Sequence, residues 1–200
     1  QRELHYFLRS MTGDRDPYRR EKIESNRRAM ELYAFWKPRV EAHPDPLDLA
    51  MRLAIAGNIM DYAANSEFDL DATIEKVLSA ALPALHTRMF REKLDEAERI
   101  LYLGDNAGEV VFDRLFLETL DHHDVMFVVR GGPAINDITM EDAKETGIDR
   151  VAKVISTGVD IASVLPHISS AEFNLAFSRA DLVISKGQGN LEGLIDRKDP

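Results

Sequence analysis

The stretch Ile100-Leu101-Tyr102-Leu103-Gly104-Asp105-Asn106-Ala107-Gly108-Glu109-Val110-Val111-Phe112-Asp113 decides how the rest of the chain is read. The apolar run Ile100 to Leu103 breaks abruptly into Gly, Asp, Asn, Ala and Gly. An apolar pattern of helical period then resumes at Val111, Phe112, Leu115 and Phe116. That order is strand, tight loop, helix. In open α/β sheets the loops at the carboxyl ends of the strands line the ligand crevice, so Asp105 and Asn106 are expected where such folds keep their chemistry. Two adjacent hard oxygen donors suit Mg²⁺, Mn²⁺ or another divalent cation. The same residues also read as an N-cap with glycines that relieve a steep turn, so the flanking sequence has to decide.

Downstream, short β-branched runs recur at Val125 to Val129, Val151 to Ile155 and Leu182 to Ile184, separated by helix-length segments such as Ser169 to Ala180. The alternation predicts right-handed βαβ units and a parallel sheet. After the second run comes a long loop from Arg130, with Gly131, Gly132 and Pro133. In it Thr139 and Asp142 have the spacing of a capping box, while Asp137 falls before the box, at a strand's end, where it can face Asp105. Gly158, after the third run, allows close backbone approach to an anion, although an ordinary turn explains it equally well. The fourth run leads into Lys186-Gly187-Gln188-Gly189-Asn190. A lysine before a glycine loop and a helix start reads as a phosphate clamp, though its spacing is not that of a P-loop, and no G-x-G-x-x-G follows any strand.

Upstream, residues 1–97 carry helical signals almost throughout. Asp16-Pro17 reads as cap and first residue of a helix over Tyr18 to Val40, whose Arg/Lys/Glu pattern is that of a solvated face. A second helix follows Pro46, with Leu47, Leu49, Ala50, Leu53, Ala54 and Ile55 expected in the core, and runs toward Asn58 and Asp61. Those two residues share a helical face, and they serve either as structural hydrogen-bonding groups or as part of a cleft. Further helices are expected over Asp71 to Ala81 and Arg88 to Glu98.

The formal charge of -10 argues against a nucleic-acid backbone as partner, since such proteins usually present a basic face. Without cysteine there is neither disulfide nor thiolate metal site, which leaves carboxylate, amide and imidazole ligands. No apolar run approaches the ~20 residues of a membrane span and no signal sequence opens the chain, so the expectation is a cytoplasmic protein with no membrane partner. The chain opens on Gln1 and stops at Pro200 soon after a new helix starts, which reads as an excerpt of a longer protein.

Taken together, Ala56-Gly57-Asn58-Ile59-Met60-Asp61, Gly104 to Glu109, Asn136-Asp137-Ile138-Thr139-Met140-Glu141-Asp142-Ala143 and Lys186 to Asn190 resemble the damage-control phosphatases, long catalogued as a domain of unknown function. The order and spacing of the blocks fit the stand-alone prokaryotic members, from about Asp16 onward. The resemblance implies a Rossmann-like α/β domain over 98–200, its parallel sheet flanked by helices, with a helical N-terminal portion over 1–97. It implies a metal-dependent phosphatase of small phosphorylated metabolites, including damaged or surplus ones. It assigns a divalent ion (Mg, Mn, Co or Ni) to Asp105, Asn106 and Asp137, sets Lys186 and Gly187 beside the substrate phosphate, and brings Asn58 and Asp61 to the same cleft. Relatives commonly carry cysteines near the N-terminus and continue well beyond the Lys-Gly loop into further strand and helix; this sequence shows neither feature.

The chemistry is coherent on physical grounds. A divalent ion between two carboxylates and an amide can neutralise phosphate oxygens, while Lys186 and loop amides stabilise charge on the transferring group. The attacking group is either water or the Asp105 carboxylate; water is preferred, because Asp105 is assigned to the metal. The competing readings are a non-catalytic nucleotide- or metabolite-binding module and an interaction domain whose strand-end polar groups are caps.

Overall fold

The structure, a computed structural model, describes residues 7, 9–11, 13–63, 76 and 78–195, with the side chains of 58–63 set aside. Among these, helices α1 (Arg19–Glu41), α2 (Pro46–Ala63) and α3 (Ala84–Glu96) precede an alternating run. That run is β1 (Ile100–Leu103), α4 (Glu109–Leu120), β2 (Val125–Val129), α5 (Met140–Thr146), β3 (Lys153–Ser156), α6 (Ala171–Arg179), β4 (Leu182–Ser185) and α7 (Gln188–Leu194).

The strands form one parallel sheet in the order β3-β2-β1-β4, with Leu103 opposite both Val128 and Ser185. Alternate side chains separate two cores, because successive residues of a strand point to opposite faces. Ile100, Tyr102, Phe127 and Val129 join α1, α2 and α4 on one face. Leu101, Leu103, Val128 and Ile155 meet Val164 and Phe173 of the α6 side on the other. Covered on both faces, β1 and β2 are almost wholly buried and read as continuous apolar runs. This is the α/β architecture that the alternation predicts.

Several local expectations shift. The first helix starts at Arg19 and not at Pro17; Tyr18 is its N-cap, with no side-chain cap bond, because the Asp16 carboxylate is 2.9 Å from the Lys22 ammonium instead. Ile55 is exposed, while Leu49, Ala50, Leu53 and Ala54 are buried as expected. α3 begins four residues before Arg88, directly after Pro83, and ends at Glu96. β3 begins two residues late, since the Val151 and Ala152 amides still donate to the Ile148 carbonyl of the preceding 3₁₀ turn. The helix expected over Asp71 to Ala81 falls largely outside the described residues. The capping box is present: the Thr139 amide donates to Asp142 Oδ2 at 2.9 Å.

Candidate active site

β1 leads to β2 and β3 on one side, and the chain then returns to β4 on the other. The strand order therefore reverses between β1 and β4, the place where open α/β sheets bind ligands. Asp105 stands at the end of β1 and Lys186 at the end of β4, with the Lys186 amide donating to the Leu103 carbonyl at 3.1 Å. The loop after β1 is pinned by its backbone. Gly104 donates to Val128, Ala107 donates to Asn136, and the Asp105 carbonyl accepts from the Ile138 amide at 2.8 Å. Asn106 and Asp137 pair as an isolated antiparallel bridge, so the two loops that carry the expected metal ligands are joined at those ligands.

Gly187 has a positive φ of 80°, and a Cβ there would lie 1.9 Å from Asp105 Oδ2. The Asp105 carboxylate thus rests on the bare α-carbon of Gly187, and the site needs glycine for that reason. Asn106 Nδ2 donates to Asp105 Oδ2 at 2.9 Å and to Glu109 Oε2 at 3.3 Å. Burial, with Asp137 and Glu109 nearby, pushes the Asp105 carboxyl up to about 7, against the pull of Arg130 and Lys186.

Arg130, at the end of β2, is buried across the same crevice. Its Nε donates to Asp137 Oδ2 at 2.5 Å and its Nη2 to Asn190 Oδ1 at 2.8 Å, and Nη2 lies 3.7 Å from Asp105 Oδ1. Its Nη1 is buried with no hydrogen-bond partner among the described residues. Asn190 Nδ2 donates to the carbonyls of Gly104 and Lys186, stitching the ends of β1 and β4.

Lys186 is neither solvated nor a free clamp. Its ammonium donates to Asp113 Oδ1 at 2.7 Å and to the Ala54 carbonyl at 2.9 Å, and lies 2.5 Å from Glu109 Oε1, a contact off hydrogen-bond geometry. Burial alone would lower its pKa, but Asp113, Tyr102 and Glu109 outweigh burial and hold the ammonium charged. Burial raises the Asp113 carboxyl to about 6, while Lys186 and the Tyr102 hydroxyl, 2.6 Å away, pull it back.

Of the expected site residues, Asp105, Asn106, Asp137, Lys186 and Gly187 come together here. Asn58 and Asp61 lie on the last turns of α2, and their side chains are outside the described residues. Gly158 follows edge strand β3. There its amide donates to Ser156 Oγ, and its backbone is packed so closely on Gly131 that a Cβ on Gly131 would lie 2.3 Å from the Gly158 carbonyl carbon. Further along the same loop Ser163 Oγ donates to the Gly189 carbonyl at 2.6 Å, so the loop after β3 meets the Lys186–Asn190 loop.

Glu109, Asp113, Arg130 and Asn190 were not assigned from the sequence. The i,i+4 spacing of Glu109 and Asp113 on α4 was the available signal for a shared face. Nothing local marked Arg130.

A family model described as the damage-control phosphatase ARMT1-like domain matches residues 1–200. This chain belongs to that family. It is 37% identical over 201 residues to the damage-control phosphatase PH1575 of Pyrococcus horikoshii, a match spanning 98% of the chain and 68% of that protein. It is 36% identical over 205 residues to the uncharacterized protein MJ0202 of Methanocaldococcus jannaschii, spanning 98% and 67%. The crystal structure of the DUF89 family protein PH1575 superimposes with a TM-score of 0.86 at 35% identity, covering 97% of this chain and 68% of that one. The damage-control phosphatase fold is therefore the fold of this chain. No helix among the described residues is long and apolar enough to cross a membrane.

Proposed function

We propose that the chain carries the catalytic crevice of a divalent-metal-dependent phosphatase acting on small phosphorylated metabolites. The observation behind this reading is the charge balance of the crevice. The carboxylates of Asp105, Glu109, Asp113 and Asp137 gather around the cations of Arg130 and Lys186, and burial, with Asp137 and Glu109 nearby, raises the Asp105 carboxyl to about 7. A phosphate dianion would be repelled by such a crevice; a divalent cation offsets the excess of two negative charges and makes phosphate welcome. Oxygen donors from Asp105, Asn106 and Asp137 fit a hard cation and leave Mg²⁺, Mn²⁺, Co²⁺ and Ni²⁺ all eligible.

When bound, the ion supplies Lewis-acid stabilisation of phosphoryl oxygens. Arg130 keeps the Asp137 carboxylate oriented. Gly187 leaves room for the Asp105 carboxylate, and Asn106 holds it in place. Lys186 presents a fixed positive charge beneath the crevice, and an incoming phosphate would compete with Asp113 and Glu109 for its ammonium. The family names and the site's charge support hydrolysis over mere binding; the individual metabolite is set by surrounding loops.

The test is calorimetric titration of metal-stripped protein, then a phosphate-release screen over an aryl phosphate, sugar phosphates, nucleotides and phosphopantetheine-like compounds. Metal binding and phosphate release should both disappear in Asp105→Ala. Release that needs no metal, or binding that survives this substitution, would sink the reading.

A further inference from the structure

Helix α1 buries one face, and that face changes character along its length: Lys22 and Asn26 at the start, then Ala29, Tyr33 and Val40. The apolar part packs in the core shared with α2 and α4. Asn26 is also buried, where alanine would satisfy packing alone. Its Oδ1 accepts from the Gly108 amide at 2.7 Å. Gly108 is the N-cap of α4 and offers no side chain of its own, and its buried amide is served by a residue 82 positions upstream. The Nδ2 of the same amide group donates to Glu145 Oε2 at 3.3 Å and lies 3.5 Å from Asp142 Oδ1. Lys22 holds the other oxygen of Asp142 at 3.0 Å.

We propose that Asn26 is a positioning residue that holds the joined pair of metal-binding loops against helix α1: it accepts from the Gly108 amide, two residues beyond Asn106, with its oxygen, and reaches Asp142 and Glu145 of α5, five and eight residues beyond Asp137, with its nitrogen. This rests on the metal site proposed above and extends it to the helical portion. Groups that orient ligands without touching the ion commonly alter metal affinity by ten- to a hundredfold when removed. The contact is close as well as directional. A Cβ on Gly108 would lie 3.1 Å from the Ser25 Cβ and 3.3 Å from the Ser25 carbonyl oxygen, so the loop rests against α1 beside the Asn26 contact.

The experiment compares wild type, Asn26→Ala, Asn26→Asp and Tyr33→Phe, with Mn²⁺ as the probe in calorimetry and amide hydrogen exchange read on the metal-free proteins. Asn26→Ala should weaken Mn²⁺ binding by about ten- to a hundredfold and speed exchange at Gly108 while leaving β2 protected. Asn26→Asp keeps an acceptor for Gly108 and should retain that protection, with a smaller loss of affinity. Tyr33→Phe removes a hydrogen bond to Glu118 on the same helix face; it should lower the melting temperature and leave Mn²⁺ binding unchanged. Wild-type affinity and exchange in Asn26→Ala, equal losses in both Asn26 variants, or failure of both to fold would overturn the assignment. If wild type binds Mn²⁺ and Asp105→Ala abolishes it while Asn26→Ala does not differ, only this inference fails; if wild type binds no metal, the proposed function fails as well.

Discussion

At the scale of single residues, the crevice depends on Gly187 and on the ionisation of Asp105. Alanine at 187 would have to hold a positive φ and place its methyl inside the Asp105 carboxylate, so one or the other must move. Gly187→Ala should cost about 1–3 kcal/mol in thermal unfolding and weaken metal binding, both measurable on the purified variant. Asp105 predicts a pH dependence of definite sign. Its folded-state pKa, raised to about 7, lies above the unfolded value of about 3.9, so between these limits the folded metal-free protein binds a proton that the unfolded chain lacks. This group's contribution to stability therefore falls as pH rises from about 4 to 7 and is flat beyond. Melting temperatures of wild type and Asp105→Asn should diverge across that window, with the variant gaining ground toward pH 7. Parallel curves would show that the carboxyl titrates normally. The metal acts in the opposite direction, since it requires the anion, so its affinity should rise with pH up to about 7.

At the scale of elements, Lys186 ties β4 to α4 through Asp113 and Glu109, and to α2 through the Ala54 carbonyl. Removal of its charge leaves two carboxylates buried without their cation. Lys186→Met should then cost about 3–5 kcal/mol in denaturant unfolding, beyond any loss of turnover. A loss of only a few tenths would mean that the carboxylates relax to solvent or protonate without strain. The capping box of α5 makes a gentler claim: Thr139→Ala should cost about 1 kcal/mol in the same measurement, because Asp142 keeps its bonds to Lys22 and to the Thr139 amide.

Across the molecule, protection should follow the layering. β1 and β2 lie under helices on both faces, whereas β3 and β4 are only partly buried. Hydrogen exchange should be slowest in β1 and β2 and faster in the two outer strands, and metal should add protection chiefly over 104–109 and 136–138. Uniform protection through the sheet would contradict that picture.

The sequence by itself determined the alternation of strands and helices, the parallel sheet and the placement of Asp105, Asn106, Asp137, Lys186 and Gly187 at strand ends. Each rests on local signals: an apolar run, a glycine break, a capping spacing. It also marked the Thr139–Asp142 box correctly, because a cap closes within one turn. Strand and helix starts slipped by a few residues where a neighbouring turn or a distant partner competed, as at Asp16, whose carboxylate went to Lys22. Only the tertiary structure decided how the strand-end loops are arranged around the crevice, since strand order places β4 beside β1 and β3 at the opposite edge. It alone turned Lys186 inward onto Glu109 and Asp113, brought Arg130 onto Asp137, and set Asn26 against Gly108. Charge pairs and buried amides are chosen by proximity after the chain has folded, and a linear pattern records the groups that need partners without recording which partners they find.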